Sequence, residues 1–297
     1  DGSYDFAEIP RYLEKLRDGF DLVMGNRFQG EIKAGAMPWK NRHIGNPILS
    51  GIGRLFFRVD VHDLHCGLRG FRRAALATLD LRSTGMELAS EMVVKAHLHA
   101  LRVTEVPATL SPDGRDRPPH LRPWRDGWRH LRFLLLYSPR WLFLYPGIAL
   151  VVVGALLHAL LLPGPFRLHL QSGDVTLDIH TLLYAGAMIL VGAQAIIFAA
   201  LSRIFAISEG LVPQPKNYDG WFRVVTLERG LIGGVVFVVA GLVLSIVAVA
   251  AWSKRDFGPY DPDVAMRLIV PSVVLLALGA QTIFSSFFLS LLGLKRR

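Results

Sequence analysis

Four long apolar runs fill the second half of this 297-residue chain: Trp141–Leu162, Thr181–Leu201, Gly230–Trp252 and Leu268–Leu292. A helix needs about 20 apolar residues to cross a hydrocarbon core about 30 Å thick, and each run meets that length. Buried helices of soluble proteins rarely repeat such length four times in succession, so the runs predict a membrane domain of four transmembrane helices. The overall hydrophobic content of 52% is therefore unevenly spread. Residues 1–140 read instead as a mixed, charge-rich soluble segment.

The formal charge of +9 is concentrated beside the runs. Arg115, Arg117, Arg122, Arg125, Arg129, Arg132 and Arg140 precede the first run, and Arg203, Lys216, Arg223 and Arg229 lie between the second and third. The tail ends Lys295-Arg296-Arg297, whereas the loop after the first run has only Arg167. Lys254, Arg255 and Arg267 after the third run are opposed by Asp256, Asp261 and Asp263. Basic residues within about 15–20 positions of a span stay cytoplasmic, which predicts both termini inside, in a bacterial inner or plasma membrane. Cys66, the one cysteine, excludes an internal disulfide framework and fits a reducing compartment.

Within the soluble half, Ile9, Tyr12, Leu13 and Leu16 recur at helical spacing across 7–18, ahead of a short strand over 20–24. A helix over 86–98 and an alternating strand over 101–106, closed by Pro107, follow. Helices alternating with single strands predict an α/β layer fold. Two or three strands make a thin sheet, and Asp1-Gly2-Ser3-Tyr4 has no feature of a signal peptide, so strands N-terminal to this chain are expected to be missing. Arg122, Arg125, Arg129 and Arg132 share one helix face and Trp124, Trp128 and Leu131 another. A basic face flanked by tryptophan and leading into a span predicts an interfacial helix over 121–140 beside anionic lipid. The adjoining span argues against nucleic acid as the partner of these arginines. The expected organisation is thus an α/β domain over 1–120, the interfacial helix, and the membrane domain over 141–297.

Four islands in the soluble half join charge, glycine and turn chemistry: Asp1-Gly2-Ser3, Gly25-Asn26-Arg27, Asp63 to Arg72, and Gly114 to Arg117. Singly, each reads as a turn or a surface arginine. In order, and with Gly85 to Glu91 and Glu105-Val106-Pro107, they resemble the inverting family 2 glycosyltransferases of the dolichol-phosphate mannose synthase type. That resemblance covers residues 1–140 and implies the C-terminal part of a GT-A, Rossmann-like catalytic domain. Asp1 matches the second aspartate of the family's Asp-x-Asp motif, so the preceding strands and the base pocket fall outside what is matched. The chain alone is expected to be inactive.

The resemblance further implies sugar transfer, with inversion, from a nucleotide sugar of the GDP-mannose or UDP-glucose class to a polyprenyl phosphate at the cytoplasmic face. It makes Asp1 a ligand of Mg²⁺ or Mn²⁺, with Ser3 near the ion; hard cations of this kind suit oxygen donors. Arg27 and Arg42, with Asn46 beside them, would hold the acceptor phosphate. Arg115 or Arg117 would neutralise the donor diphosphate, since a guanidinium fork binds phosphate oxygens bidentately. Asp63 would face the sugar, Arg69 would pair with a carboxylate to fix its loop, and Glu91 would order the active-site arginines or lie on a solvated helix face. His62, Asp63, His65 and Cys66 resemble a soft-metal cluster but lack the second ligand pair that zinc requires. His158, Gln194 and Gln281 in the spans are expected to make interhelical hydrogen bonds. A processive polysaccharide synthase is the alternative enzyme, disfavoured because Arg122-Pro123-Trp124-Arg125 lacks that group's Gln-x-x-Arg-Trp signature. A non-catalytic protein binding or moving lipid-linked sugars is the other alternative.

Overall fold

The apolar run expected as a strand folds as the centre of a small sheet. The computed structural model describes residues 2–114, 123–170, 173–214 and 226–294, in two units, Asp1–Ser138 and Pro139–Arg297. Helix α1 (Ile9–Arg17), with Pro10 in its first turn, leads to strand β1 (Leu22–Asn26). Every residue of β1 is buried, which is why it reads as an unbroken apolar run and not an alternation. Helix α2 (Asn46–Phe57) grows out of a π-helical turn, Asn41–Gly45, and strand β2 (Arg69–Phe71) follows. Helices α3 (Arg73–Thr78) and α4 (Leu88–Leu98) then carry the chain to strand β3 (Val103–Pro107). The sheet order is β2-β1-β3: β2 pairs antiparallel to β1, and β3 pairs parallel with Leu22 opposite Val103 and Asn26 opposite Pro107.

Helix α5 (Pro123–Leu136) closes the first unit. Trp124 and Trp128 are exposed on it. The helix also has a third face that its arginines and tryptophans did not announce. Asp126, His130, Phe133 and Leu134 are buried, and the last two join a core with Met24, Phe57, Leu64 and Val93.

Each expected span is a helix in the second unit. The π-helical turn Arg140–Leu144 runs into α6 (Tyr145–Leu161), followed by α7 (Ile179–Ser208), α8 (Leu227–Ser253) and α9 (Pro262–Leu294). A hairpin not expected from the sequence, β4 (Phe166–Leu170) and β5 (Gly173–Leu177), joins α6 to α7. Glycines set the closest helix approaches. A Cβ on Gly147 would lie 2.8 Å from the Gly192 carbonyl oxygen, and one on Gly241 would lie 2.9 Å from that of Ser272. Such close packing, not water exclusion, drives association between helices in lipid.

The polar residues of the spans depart from expectation. His158 contacts its own helix, with Nδ1 3.3 Å from the Gly154 carbonyl, and Gln281 Oε1 has no partner among the described residues. The contacts between helices come from elsewhere. Arg267 donates to the Leu161 carbonyl and to Asp178, and Ser245 donates to Ser272 over 3.3 Å. An arginine near a helix end can reach such acceptors with its long stem, whereas His158, in the last turn of α6, has the preceding turn's carbonyl within reach.

Candidate active site

Ligands of open α/β sheets bind at the carboxyl ends of parallel strands, and here β1 and β3 end together at Asn26 and Pro107. Asn26 is fully buried and turns the chain sharply. Its Oδ1 accepts from the backbone N–H of Phe28 and Gln29, both at 3.0 Å, while its Nδ2 donates to Glu105 Oε2 at 3.1 Å. Gly25 leaves room for the loop that closes over it, since a Cβ there would lie 2.6 Å from both Cys66 Sγ and the Tyr12 hydroxyl.

This turn delivers Arg27 to Asp63. Arg27 Nε and Nη2 donate to the two carboxylate oxygens at 2.6 and 2.7 Å, and the Arg27 backbone N–H adds a third bond of 3.1 Å. Asp63 is wholly buried and Arg27 nearly so. Burial works to lower the Arg27 pKa, but the bonds and charge of Asp63 outweigh it and raise it. The side chains that the family resemblance assigns to sugar and acceptor phosphate are thus joined to each other.

Glu105 on β3 anchors the backbone around the pair. Its Oε1 accepts from the N–H groups of His62 and Asp63 at 2.8 and 2.9 Å, and its Oε2 lies 3.1 Å from His62 Nδ1. One carboxylate therefore ties the Asp63 loop to the Asn26 turn. Glu105 belongs to the Glu105-Val106-Pro107 stretch that carries the family resemblance, which assigns it no role at the site. Arg69 fixes the far end of the same loop, donating at 2.8 Å to the carbonyls of Cys66, Leu64 and Ala89. Its partners are carbonyls and not the expected carboxylate, because the loop curls its own acceptors around the guanidinium. Burial pulls the Arg69 pKa down to about 10. Tyr4, also unmarked by sequence reasoning, accepts from the Gly67 N–H at 2.9 Å, and burial pushes its phenol up to about 12.

Glu91 is buried and bonded, not on a solvated face. It pairs with Lys95 at 2.7 Å and accepts from the N–H of Ser83 at 2.8 Å and of Arg82 at 3.0 Å. Burial opposes its charge, but Lys95 and these donors outweigh it and hold its pKa below the usual carboxylate range. Lys95 also donates to the Asp80 carbonyl at 2.6 Å, so the pair orders the 80–83 turn. Arg42 is exposed on the π-helical turn, and Asn46 opens α2, its Nδ2 3.4 Å from Met37 Sδ. Trp39, Ile44 and Ile48 of the same segment are also exposed. Ser3 accepts through its carbonyl from the Ser111 N–H. Asp1, Arg115 and Arg117 lie outside the described residues. Among the described residues, which do not include Asp1, no three His, Cys, Asp or Glu side chains are grouped to hold a metal ion.

Comparison with known proteins adds an independent line. Residues 200–293 match the family described as glycosyltransferase family 2 C-terminal transmembrane region. The chain is 36% identical over 295 residues to the low-salt glycan biosynthesis hexosyltransferase Agl6 of Haloferax volcanii, covering 99% of this chain and 68% of that protein. It is 31% identical over 110 residues to a dolichyl-phosphate hexose transferase of the same organism, covering 36% of this chain and 45% of that protein. A polyprenol monophosphomannose synthase of Mycolicibacterium smegmatis is 29% identical over 114 residues, covering 37% of this chain and 43% of that protein.

Proposed function

The chain belongs to glycosyltransferase family 2, and from that premise we propose that it serves transfer of a hexose, with inversion, from a nucleotide-diphosphate sugar to a polyprenyl phosphate. The observation that carries the acceptor is the 39–48 segment. It exposes a cation, Arg42, together with Trp39, Ile44 and Ile48, and so offers charge for an anionic head and apolar surface for a prenyl tail. The names of two relatives, a dolichyl-phosphate hexose transferase and a polyprenol monophosphomannose synthase, support the same class.

A phosphate monoester has its second pKa near 6 and is largely dianionic at neutral pH. Its oxygen attacks the anomeric carbon from the face opposite the leaving group. The bond from that carbon to the diphosphate oxygen breaks, and the nucleoside diphosphate departs with the electron pair. The protein's task is then positioning and charge compensation more than proton removal. Arg42 and Asn46 would receive the acceptor phosphate, and Arg115 or Arg117 the donor diphosphate. Asp63, held by Arg27, would orient the sugar. The reading includes dependence on Mg²⁺ or Mn²⁺ through Asp1 and Ser3, with the exposed basic side of α5 toward the cytoplasmic leaflet.

The test is label transfer from GDP-mannose and from UDP-glucose to polyprenyl phosphate by the full-length protein in lipid. One donor is expected to label the lipid, chelation of divalent cations to abolish labelling, and Arg42→Ala to raise the acceptor KM about tenfold, which corresponds to ~1.4 kcal/mol. Labelling from neither donor, or an unchanged acceptor KM, would overturn the proposal.

A further inference from the structure

The hairpin between the first two spans has two unlike faces. Phe166 stands opposite Leu177 and Leu168 opposite Val175, while Arg167 stands opposite Thr176 and His169 opposite Asp174. Directly opposed residues share a face, and successive pairs alternate. One face is therefore Phe166, Leu168, Val175 and Leu177, and the other is wholly polar. Leu177 packs on the buried cluster of Leu161, Leu182, Val270 and Val274. Further along the same face Phe166, Leu168 and Val175 are 37%, 38% and 44% exposed.

The hairpin's root is fixed. Arg267 at the start of α9 donates to the carbonyl of Leu161, the last residue of α6, and to the carboxylate of Asp178, which precedes α7. The root therefore sits where two spans leave the hydrocarbon. A five-residue strand is about 17 Å long, but the headgroup zone beyond the hydrocarbon is only about 6 Å deep on each side. An upright hairpin would carry its apolar face into water. A two-stranded hairpin is marginal in water without something covering that face. Leu160 and Leu183, on the adjoining spans close to the hairpin in the chain, are also exposed.

We propose that this hairpin lies flat in the membrane interface, with Phe166, Leu168 and Val175 in the acyl boundary and Arg167 among the headgroup phosphates. Its partner is the lipid bilayer. The geometry matches that of an amphipathic interfacial segment, built from strands in place of a helix.

The full-length protein in nanodiscs, labelled with an environment-sensitive fluorophore at Leu168→Cys, Val175→Cys, Arg167→Cys or Thr176→Cys, tests this. Cys66 is fully buried and so stays unlabelled. Emission at 168 and 175 is expected to shift to the blue and to be quenched by lipids brominated high on the acyl chain. Iodide quenching there should be about threefold weaker than at 167 and 176, since interfacial insertion buries one face only. Equal iodide quenching at all four sites would overturn the proposal. So would protection at 168 and 175 without quenching by brominated lipid, which would point to a protein partner. Hydroxyl-radical footprinting of the unmodified protein gives the same comparison without substitution: Leu168 and Val175 should be protected and His169 oxidised, and equal oxidation would again refute it.

Discussion

Asp63 enters the site as half of a buried ion pair, and that changes how its mutants must be read. Removing one partner of such a pair leaves the other charge uncompensated and costs about 3–5 kcal/mol. Asp63→Ala is therefore expected to lower the thermal midpoint of the first unit sharply, a loss visible by calorimetry before any assay of activity. Asp63→Ala together with Arg27→Met should recover much of that stability while staying inactive. If the single variant unfolds like the parent protein, the pair is not buried as described. Glu105 asks a different question, because it touches Asp63 only through backbone N–H groups. Glu105→Gln keeps one acceptor oxygen and the side chain's shape. It should cut kcat about tenfold, or ~1.4 kcal/mol, with donor KM little changed, whereas a merely structural role would alter stability alone. The pairing behind both predictions was not legible in the chain. Gly-Asn-Arg and the Asp63 loop marked the candidate residues, but 36 positions separate the two partners and nothing local specifies that they meet.

Helix α5 shows the same division at the scale of an element. Its arginines and tryptophans fall at helical spacing, so its outward faces could be read directly. Its inward face could not, because Asp126 and His130 look like further surface polarity. In the fold the His130 ring meets the His65 ring edge-on at 4.4 Å between centroids, and His130 Nδ1 lies 2.9 Å from Ser90 Oγ. Burial, then the neighbouring His130, Arg27 and Arg69, lowers the His65 pKa. Burial also lowers that of His130, against an opposing pull from Glu87 and Asp126 and with help from Arg69. The unfolded chain, with histidines titrating near 6.5, thus binds protons that the folded chain refuses. Stability from this contact is complete above about pH 6.5 and declines as pH falls toward the folded values, by up to ~1.4 kcal/mol per pH unit for each histidine. The midpoint of unfolding in lipid should accordingly drop between pH 7 and 5.5, and His65→Gln should flatten that slope. A slope unchanged by the substitution would assign the acid sensitivity elsewhere.

For the whole molecule, the apolar runs made the number of spans legible because length and composition alone decide what crosses a bilayer. Orientation was harder, since Lys254, Arg255 and Arg267 all lie on the side expected to be poor in basic residues. The fold accounts for two of them. Arg267 is paired with Asp178, and the Arg255 guanidinium lies over the Tyr260 ring at 4.5 Å from its centroid. Arg267 is thus satisfied within the folded unit while Arg255 stays on its surface, and the basic residues flanking the opposite ends of the spans outnumber those on this side. Asp178, which follows the hairpin, pairs with Arg267 near the start of α9, and so the hairpin's root and the start of α9 lie at one end of the second unit. That end is expected to face away from the cytoplasm. In intact cells a membrane-impermeant maleimide should label Thr176→Cys, on the polar face of the hairpin, whereas Glu209→Cys, just past α7, should react only after permeabilisation. The reverse pattern would place the basic segments outside. It would also carry the arginines of α5 to that side, because only Tyr137, Ser138 and Pro139 join α5 to the turn that opens the first span.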